Sequence, residues 1–340
     1  MKIFYAVQAT GNGHIARAGQ LMPYLQNLGE VDVLLSGKNH SLQPNFPVKY
    51  RSEGLSLFYD RDGGLDKLQM LRKNNLIKAF RDARHLPLEK YDLILNDFDF
   101  ITASAVKMKN LPSIQFGHQA SFISPASPRP QNKSMSGELL FNHFAPAASY
   151  VGLHFKRYDH FIFPPVIKES ILYASPKDLG YILVYLPAVS TASLTRVFSS
   201  FRDFRFVVFC QEAKQIRKND NVVVQPVNNQ AFTAHMVFAG GVITGGGFET
   251  PAEALYMKKK LLVCPISRHY EQLCNAAALE MEGISALYHL SPESLKKTLS
   301  TWLYQLNSTF EVEANNIPET LEYMLSINES LQKEKKQSSS

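Results

Sequence analysis

Gly240-Gly241-Val242-Ile243-Thr244-Gly245-Gly246-Gly247-Phe248-Glu249-Thr250 joins a short apolar strand to a helix rich in Ala, Leu and Glu. Three successive glycines let the backbone come close to a ligand and turn amide hydrogens into one concavity. The helix that begins near Phe248–Thr250 leaves its first amides without intrahelical partners and with partial positive charge, a natural seat for a diphosphate. Pro251 suits the first turn, where an N–H would be unpaired anyway. The run lacks the Gly-Lys-Ser/Thr ending of a P-loop and the G-x-G-x-x-G spacing of a dinucleotide site. A glycine triplet alone reads equally well as a ligand-free turn, so its surroundings decide its meaning.

Working outward, strand patterns alternate with helical ones on both sides. Tyr181–Leu186, Arg205–Phe209, Val222–Gln225, Gly241–Thr244 and Leu261–Pro265 read as strands, with helices near Glu249–Met257 and Tyr270–Met281. Upstream of Phe161-Ile162-Phe163-Pro164-Pro165-Val166 the alternation occurs once more. Its strands are Ile3–Val7, Val31–Leu35, Leu93–Asn96, Ser113–Phe116 and Tyr150–Leu153, with a helix near Ile15–Leu28. Strands alternating with helices predict βαβ units and parallel sheets, and paired prolines mark a boundary. The expected class is α/β, with two Rossmann-like parallel-sheet domains facing a cleft. The expected divisions are one domain over 1–163, a second over 164–317, a C-terminal helix over 318–332 and a disordered tail over 333–340.

Bulk properties fit this plan. A chain of 340 residues is long for one core, and 45% hydrophobic with 19% charged residues is an ordinary globular balance. The N-terminal apolar run lacks the parts of a signal peptide, and no stretch approaches the roughly 20 apolar residues that span a bilayer. Cys210, Cys264 and Cys274 have no metal spacing and suit a reducing cytoplasm. The formal charge of +6 is compatible with peripheral contact at the inner membrane face or with a phosphorylated substrate. A solvated basic face is the plainer account. No nucleic-acid motif accompanies the charge, and no nucleic-acid partner is expected.

The residues after the triplet narrow the choice. Glu253 lies one helical turn beyond Glu249, where a carboxylate can accept both hydroxyls of a ribose. Past the next strand, Pro265-Ile266-Ser267-Arg268-His269-Tyr270-Glu271-Gln272-Leu273-Cys274-Asn275-Ala276 opens another helix with an acid and an amide side by side. Such a pair binds sugar hydroxyls through directed hydrogen bonds, although by itself it reads as surface capping.

Taken in order, Thr244–Ala276 resembles the donor-binding segment of GT-B glycosyltransferases. It is most similar to the group that holds the N-acetylglucosaminyltransferase of peptidoglycan synthesis (family 28 C-terminal domain-like) and the plant and macrolide UDP-sugar transferases. The shared elements are Gly245–Gly247, Thr250, Glu253-Ala254, Pro265, Glu271-Gln272 and Asn275-Ala276. The resemblance implies that the amides of Gly246, Gly247 and Phe248 hold the donor diphosphate. It also implies that Glu253 binds the ribose and that Glu271 with Gln272 binds the sugar, Thr250 and Asn275 completing the donor set. The base would be recognised near Gln225–Val227, largely by backbone atoms. Relatives carry a second glycine-rich turn after the first strand of the donor domain. Here that place reads Leu186-Pro187-Ala188-Val189-Ser190-Thr191-Ala192-Ser193, so the hydroxyls of Ser190 and Thr191 are expected to substitute.

Thr10-Gly11-Asn12-Gly13-His14-Ile15-Ala16-Arg17 lies at the carboxyl end of the first strand, where α/β proteins bind ligands. It is similar to the glycine-rich first loop of the same transferases. His14 is the expected general base, oriented by Asp97 or Asp99; the alternative is that it caps the helix or lines the phosphate site. His118, in Phe116-Gly117-His118-Gln119-Ala120, is the second candidate base, and Ser121–Pro130 a candidate acceptor lip. Asp97-Phe98-Asp99 matches an Asp-x-Asp metal motif of another transferase architecture. It stands in the wrong domain for that role, so no metal and no cofactor are expected.

The function expected from the sequence is inverting transfer of a sugar from a nucleoside diphosphate sugar, UDP-linked, to an unidentified hydroxyl of a lipid carrier, a glycan or a small metabolite. Two alternatives stand: a UDP-sugar hydrolase or epimerase on the same fold, and a non-catalytic sugar-nucleotide binding protein.

Overall fold

The computed structural model describes residues 1–9, 12–37, 43–58, 64 and 66–338. Seven strands form a first sheet: β1 (Lys2–Gln8), β2 (Glu30–Ser36), β3 (Tyr50–Ser52), β4 (Leu93–Asp97), β5 (Ile114–Gly117), β6 (Ser149–Leu153) and β7 (Ile162–Phe163). Their spatial order is β3-β2-β1-β4-β5-β6-β7, and every pairing is parallel. A second sheet holds β8 (Tyr181–Tyr185), β9 (Arg205–Cys210), β10 (Arg217–Asn219), β11 (Val222–Pro226), β12 (Gly241–Thr244), β13 (Lys260–Val263) and β14 (Ser285–Ala286). Its order is β10-β11-β9-β8-β12-β13-β14, parallel except for the β10–β11 hairpin.

The central strands are buried on both faces, as parallel strands covered by helices must be; in β1 every residue after Lys2 is buried. In both sheets the first strand has its successors on opposite sides, so the order of strands across the sheet reverses beside β1 and beside β8. Those reversal points open crevices at the carboxyl ends of the strands. One apolar cluster runs between the domains, from Ile3 and Val7 through Phe155, Phe163 and Ile167 to Phe248 and Ala252.

The last helix, Ile317–Ser338, returns to the first domain. Tyr323 packs on Phe163 with ring centroids 5.2 Å apart, and Glu319 pairs with Arg157 at 3.0 Å. Asn328 and Gln332 both donate to the Asp92 carbonyl, at 3.1 and 3.2 Å. The helix continues past Gln332, where the sequence suggested a disordered tail; Lys, Glu and Gln are good helix formers, and the anchored turns before them supply the nucleus. Among the described residues, no helix is long and apolar enough to cross a membrane.

Candidate active site

The first helix, Asn12–Leu28, starts at the carboxyl end of β1. β4 lies beside β1 and places Asp97 opposite Val7, so the helix start meets that carboxylate. His14 Nδ1 is 2.8 Å from Asp97 Oδ1. Arg17, three residues on and therefore on the same helix face, donates to both Asp97 oxygens at 2.8 and 2.9 Å. Its Nη2 also lies 3.0 Å from His14 Nδ1. Nδ1 cannot donate to Asp97 and accept from Arg17 at once. The shorter contact, to the carboxylate, assigns the proton to Nδ1 and leaves the lone pair on Nε2. Burial alone would raise the Asp97 pKa; the charges of Arg17 and His14 outweigh it and hold the carboxyl below its usual range.

Asp99 has a different task. It caps the helix Phe100–Met108 by accepting from the Thr102 amide at 2.7 Å. Phe98 between the two acids adopts a left-handed backbone, φ 57°, which turns them to separate partners. Among the described residues, no group of three metal-ligating side chains is assembled. Gly11 lies outside the described residues, and Asn12 is described only as the first backbone position of its helix.

In the second sheet, β12 lies between β8 and β13, so the loops after β12 and β13 emerge side by side. The β12 loop opens the helix Glu249–Tyr256, whose N-cap Phe248 makes no side-chain cap. The β13 loop opens the helix Tyr270–Met281. Gly246 is required sterically: a Cβ there would sit 2.6 Å from the Gln272 carbonyl oxygen. At Gly247 a Cβ would meet nothing within 4 Å among the described residues, so its bare backbone faces the cleft.

These parts converge. A cleft of about 650 Å³ between the domains is lined by Gly13, His14 and Arg17 from one side, and by Gly247, Phe248, Glu249, Glu271 and Gln272 from the other. Several contacts close it. Arg17 Nη1 donates to Glu249 Oε1 at 2.8 Å, and Gln119 Nε2 to Glu271 Oε2 at 3.1 Å. Burial pushes the Glu271 pKa upward, but His118 and His269 pull it below the carboxylate norm. Tyr270 bonds Glu138, itself held by Arg129, and stands where any side chain on Gly137 would be.

His118 also borders the cleft, although most of its surface is covered. His118 is 1% exposed; Nδ1 contacts the Leu153 carbonyl at 2.9 Å and Nε2 the Asn275 Oδ1 at 2.8 Å. Both ring nitrogens face protein oxygens, and the neutral ring that burial favours can donate to only one of them. Asn275 donates from Nδ2 to the Gly246 carbonyl at 3.0 Å. Both ends of its amide thus contact protein groups, and its Nδ2 holds the glycine loop. Gln272 Oε1 accepts from the Ile266 amide at 3.0 Å. Glu253 is 7% exposed and pairs with Lys168 at 2.9 Å; burial raises its pKa against the pull of Lys168. Thr250 lies half-buried in the first turn of its helix.

Ser190 and Thr191 do not line the cleft. Ser190 caps the helix Thr191–Phe198, and Thr191 donates to Glu212 at 3.0 Å. Gln225 is buried near the end of β11, with its amide nitrogen lacking a partner among the described residues. The stretch Ser121–Pro130 is packed rather than lip-like. Ser127 Oγ donates to the Ser121 carbonyl at 2.5 Å and Arg129 Nη2 to the Phe122 carbonyl at 2.6 Å. The cleft edge is formed instead by Asn132–Ser134, Ser136 and Gly137.

Arg17, Glu249 and Lys168 had no assigned role in the sequence reading. Arg17 carried a usable signal, since it follows His14 by one helical turn.

A family model described as Glycosyl transferase family 1 matches residues 1–306. No curated protein matches the chain. Solved structures that resemble it include Arabidopsis thaliana UGT89C1 complexed with quercetin, at 14% identity and TM-score 0.59, covering 97% of this chain and 94% of that one. S. aureus MnaA with UDP resembles it at 12% identity and TM-score 0.59, over 96% and 97% of the two chains. Acinetobacter baumannii MurG does so at 13% identity and TM-score 0.52, over 98% and 99%. At such identities the structural likeness speaks for the fold, two facing α/β domains of the GT-B kind. With the family model matched from the first strand to beyond β14, the chain belongs to glycosyl transferase family 1 and is a glycosyltransferase of GT-B fold.

Proposed function

We propose that the protein transfers a sugar from a nucleoside diphosphate sugar, with UDP as the nucleotide, to a hydroxyl acceptor, with inversion at the anomeric carbon. The observation that carries this reading is the meeting, in one cleft, of the His14–Asp97 pair with the starts of the helices Glu249–Tyr256 and Tyr270–Met281. Among similar structures, UGT89C1 has been solved with UDP and with UDP-L-rhamnose, which supports a UDP-sugar donor here.

In this reading the diphosphate rests on the amides of Gly246, Gly247 and Phe248, with Thr250 beside it. Glu253 takes the ribose, and Glu271 with Gln272 the sugar. His14 Nε2 removes the proton of the acceptor hydroxyl. The acceptor oxygen bonds the anomeric carbon from the side opposite the diphosphate, and the carbon–oxygen bond to the diphosphate breaks with its electron pair on the leaving group. Asp97 holds the imidazole in the required tautomer and stabilises the imidazolium that forms. The helix start stabilises the departing charge through dipoles already in place. His118 and Asn275 act on the glycine loop as positioning residues.

The experiment is thermal protection by UDP, followed by transfer assays of the His14→Ala variant. The reading predicts protection of both proteins and loss of transfer in the variant alone. No protection of the wild-type protein would remove the donor assignment.

A further inference from the structure

Glu249 occupies the first position of the helix on which the donor diphosphate is proposed to rest. A carboxylate is at home at a helix start, yet its charge opposes an incoming diphosphate. Its side chain does not lie along its own helix. It crosses the cleft to Arg17, and it lies so close over Gly13 that a Cβ there would be 2.7 Å from its carboxyl carbon and from both oxygens.

Arg17 is 4% exposed, and its Nε has no partner among the described residues. Burial works against its charge, and Asp97 and Glu249 more than restore it, raising its pKa. A guanidinium stays charged whatever partner it has. A buried cation, the space left by Gly13 and the open side at Gly247 therefore form a cradle for an anion, filled here by the protein's own carboxylate.

We infer that Glu249 is an internal stand-in for a donor phosphate, displaced to solvent when the donor binds so that Arg17 and Gly13 receive the phosphate in its place. The inference rests on the donor site proposed above. Release of Glu249 is undemanding, because its side chain is already 36% exposed. A diphosphate carries more charge than a carboxylate and forms stronger charge-assisted hydrogen bonds to a guanidinium. Arg17 then has two tasks: its Nη2 keeps Asp97 in place behind His14, and its Nη1 neutralises the leaving group. Donor arrival and orientation of the base are thereby joined through one side chain.

The test is calorimetric titration of the full chain with inorganic pyrophosphate and, separately, with UDP, comparing wild type, Glu249→Gln, Gly13→Ala and the double variant. Glu249→Gln removes the competing charge and is expected to tighten both ligands about fivefold, the factor for one unit charge about 4 Å away in a water-like dielectric. Gly13→Ala is expected to weaken both, and to do so in the Glu249→Gln background too, since the methyl group fills the cradle itself. Unchanged or weaker pyrophosphate binding by Glu249→Gln would reduce Glu249 to an interdomain strut and overturn the inference. Tightened pyrophosphate binding without any UDP binding would support the cradle while removing the nucleotide reading. UDP binding indifferent to Glu249→Gln would do the reverse.

Discussion

His118 of the N-terminal domain lies flat against Phe248 of the C-terminal domain, ring centroids 3.9 Å apart and planes 4° from parallel. The same imidazole meets Asn275, which in turn holds the Gly246 carbonyl. The domain interface and the glycine loop are therefore one construction. Replacing His118 with Ala removes a stacked ring and its contacts to Leu153 and Asn275 from a buried interface. The expected cost is about 2–4 kcal/mol in denaturant unfolding, with stability equal to wild type as the contrary result.

The His14–Asp97 pair makes a separable prediction. His14→Ala is expected to lower transfer by about 10²–10⁴, the usual worth of a positioned base, with UDP affinity unchanged. Asp97→Asn leaves Arg17 buried without its main anion, so it is expected to lose transfer and about 3–5 kcal/mol of stability together. Steady-state kinetics beside urea unfolding separates the two variants. A His14 variant that loses UDP affinity instead of rate would contradict the assignment.

Acid sensitivity is expected from the buried histidines. Burial holds His118 below the ordinary imidazole pKa, and His154 well below it; His154 Nδ1 accepts the Phe155 amide at 2.9 Å, which fixes the neutral ring. The unfolded chain takes up these protons near pH ~6.5 while the folded chain does not. Their contribution is therefore complete above that pH and is lost as pH falls toward the folded-state values. Melting temperature should hold steady above about pH 7 and fall below about 6.5, and His154→Phe should flatten the decline. An equally steep decline in the variant would place the proton uptake elsewhere.

Much of this fold was legible because buried parallel strands read as unbroken apolar runs. The strands left unread were β3, β7, β10 and β14, each short and each at the edge of its sheet, where one side lacks a neighbour and the apolar signal thins. The cleft lining was legible at Gly247 and at the starts of the two helices that follow β12 and β13. It was not legible where two distant segments share one side chain. His118, which follows a strand, and Asn275, which stands in the second helix motif, meet across the two domains, a contact that no local pattern shows. Ser190 and Thr191 illustrate a local effect: hydroxyls before a helix are drawn into capping it.

Gly246 and Gly247 are adjacent and chemically identical, yet their surroundings differ, and this separates folding from binding. Gly246→Ala drives a methyl group into the Gln272 carbonyl and is expected to cost about 1–3 kcal/mol. Gly247→Leu meets open space at its Cβ, so the melting temperature should stay near wild type while the side chain enters the proposed diphosphate seat. UDP titration of wild type and Gly247→Leu, with melting temperatures recorded on the same samples, tests the central claim most directly. The prediction is saturable binding of UDP by wild type and none by an equally stable Gly247→Leu protein. UDP binding that survives the leucine, or a wild-type protein that does not bind UDP, would contradict it.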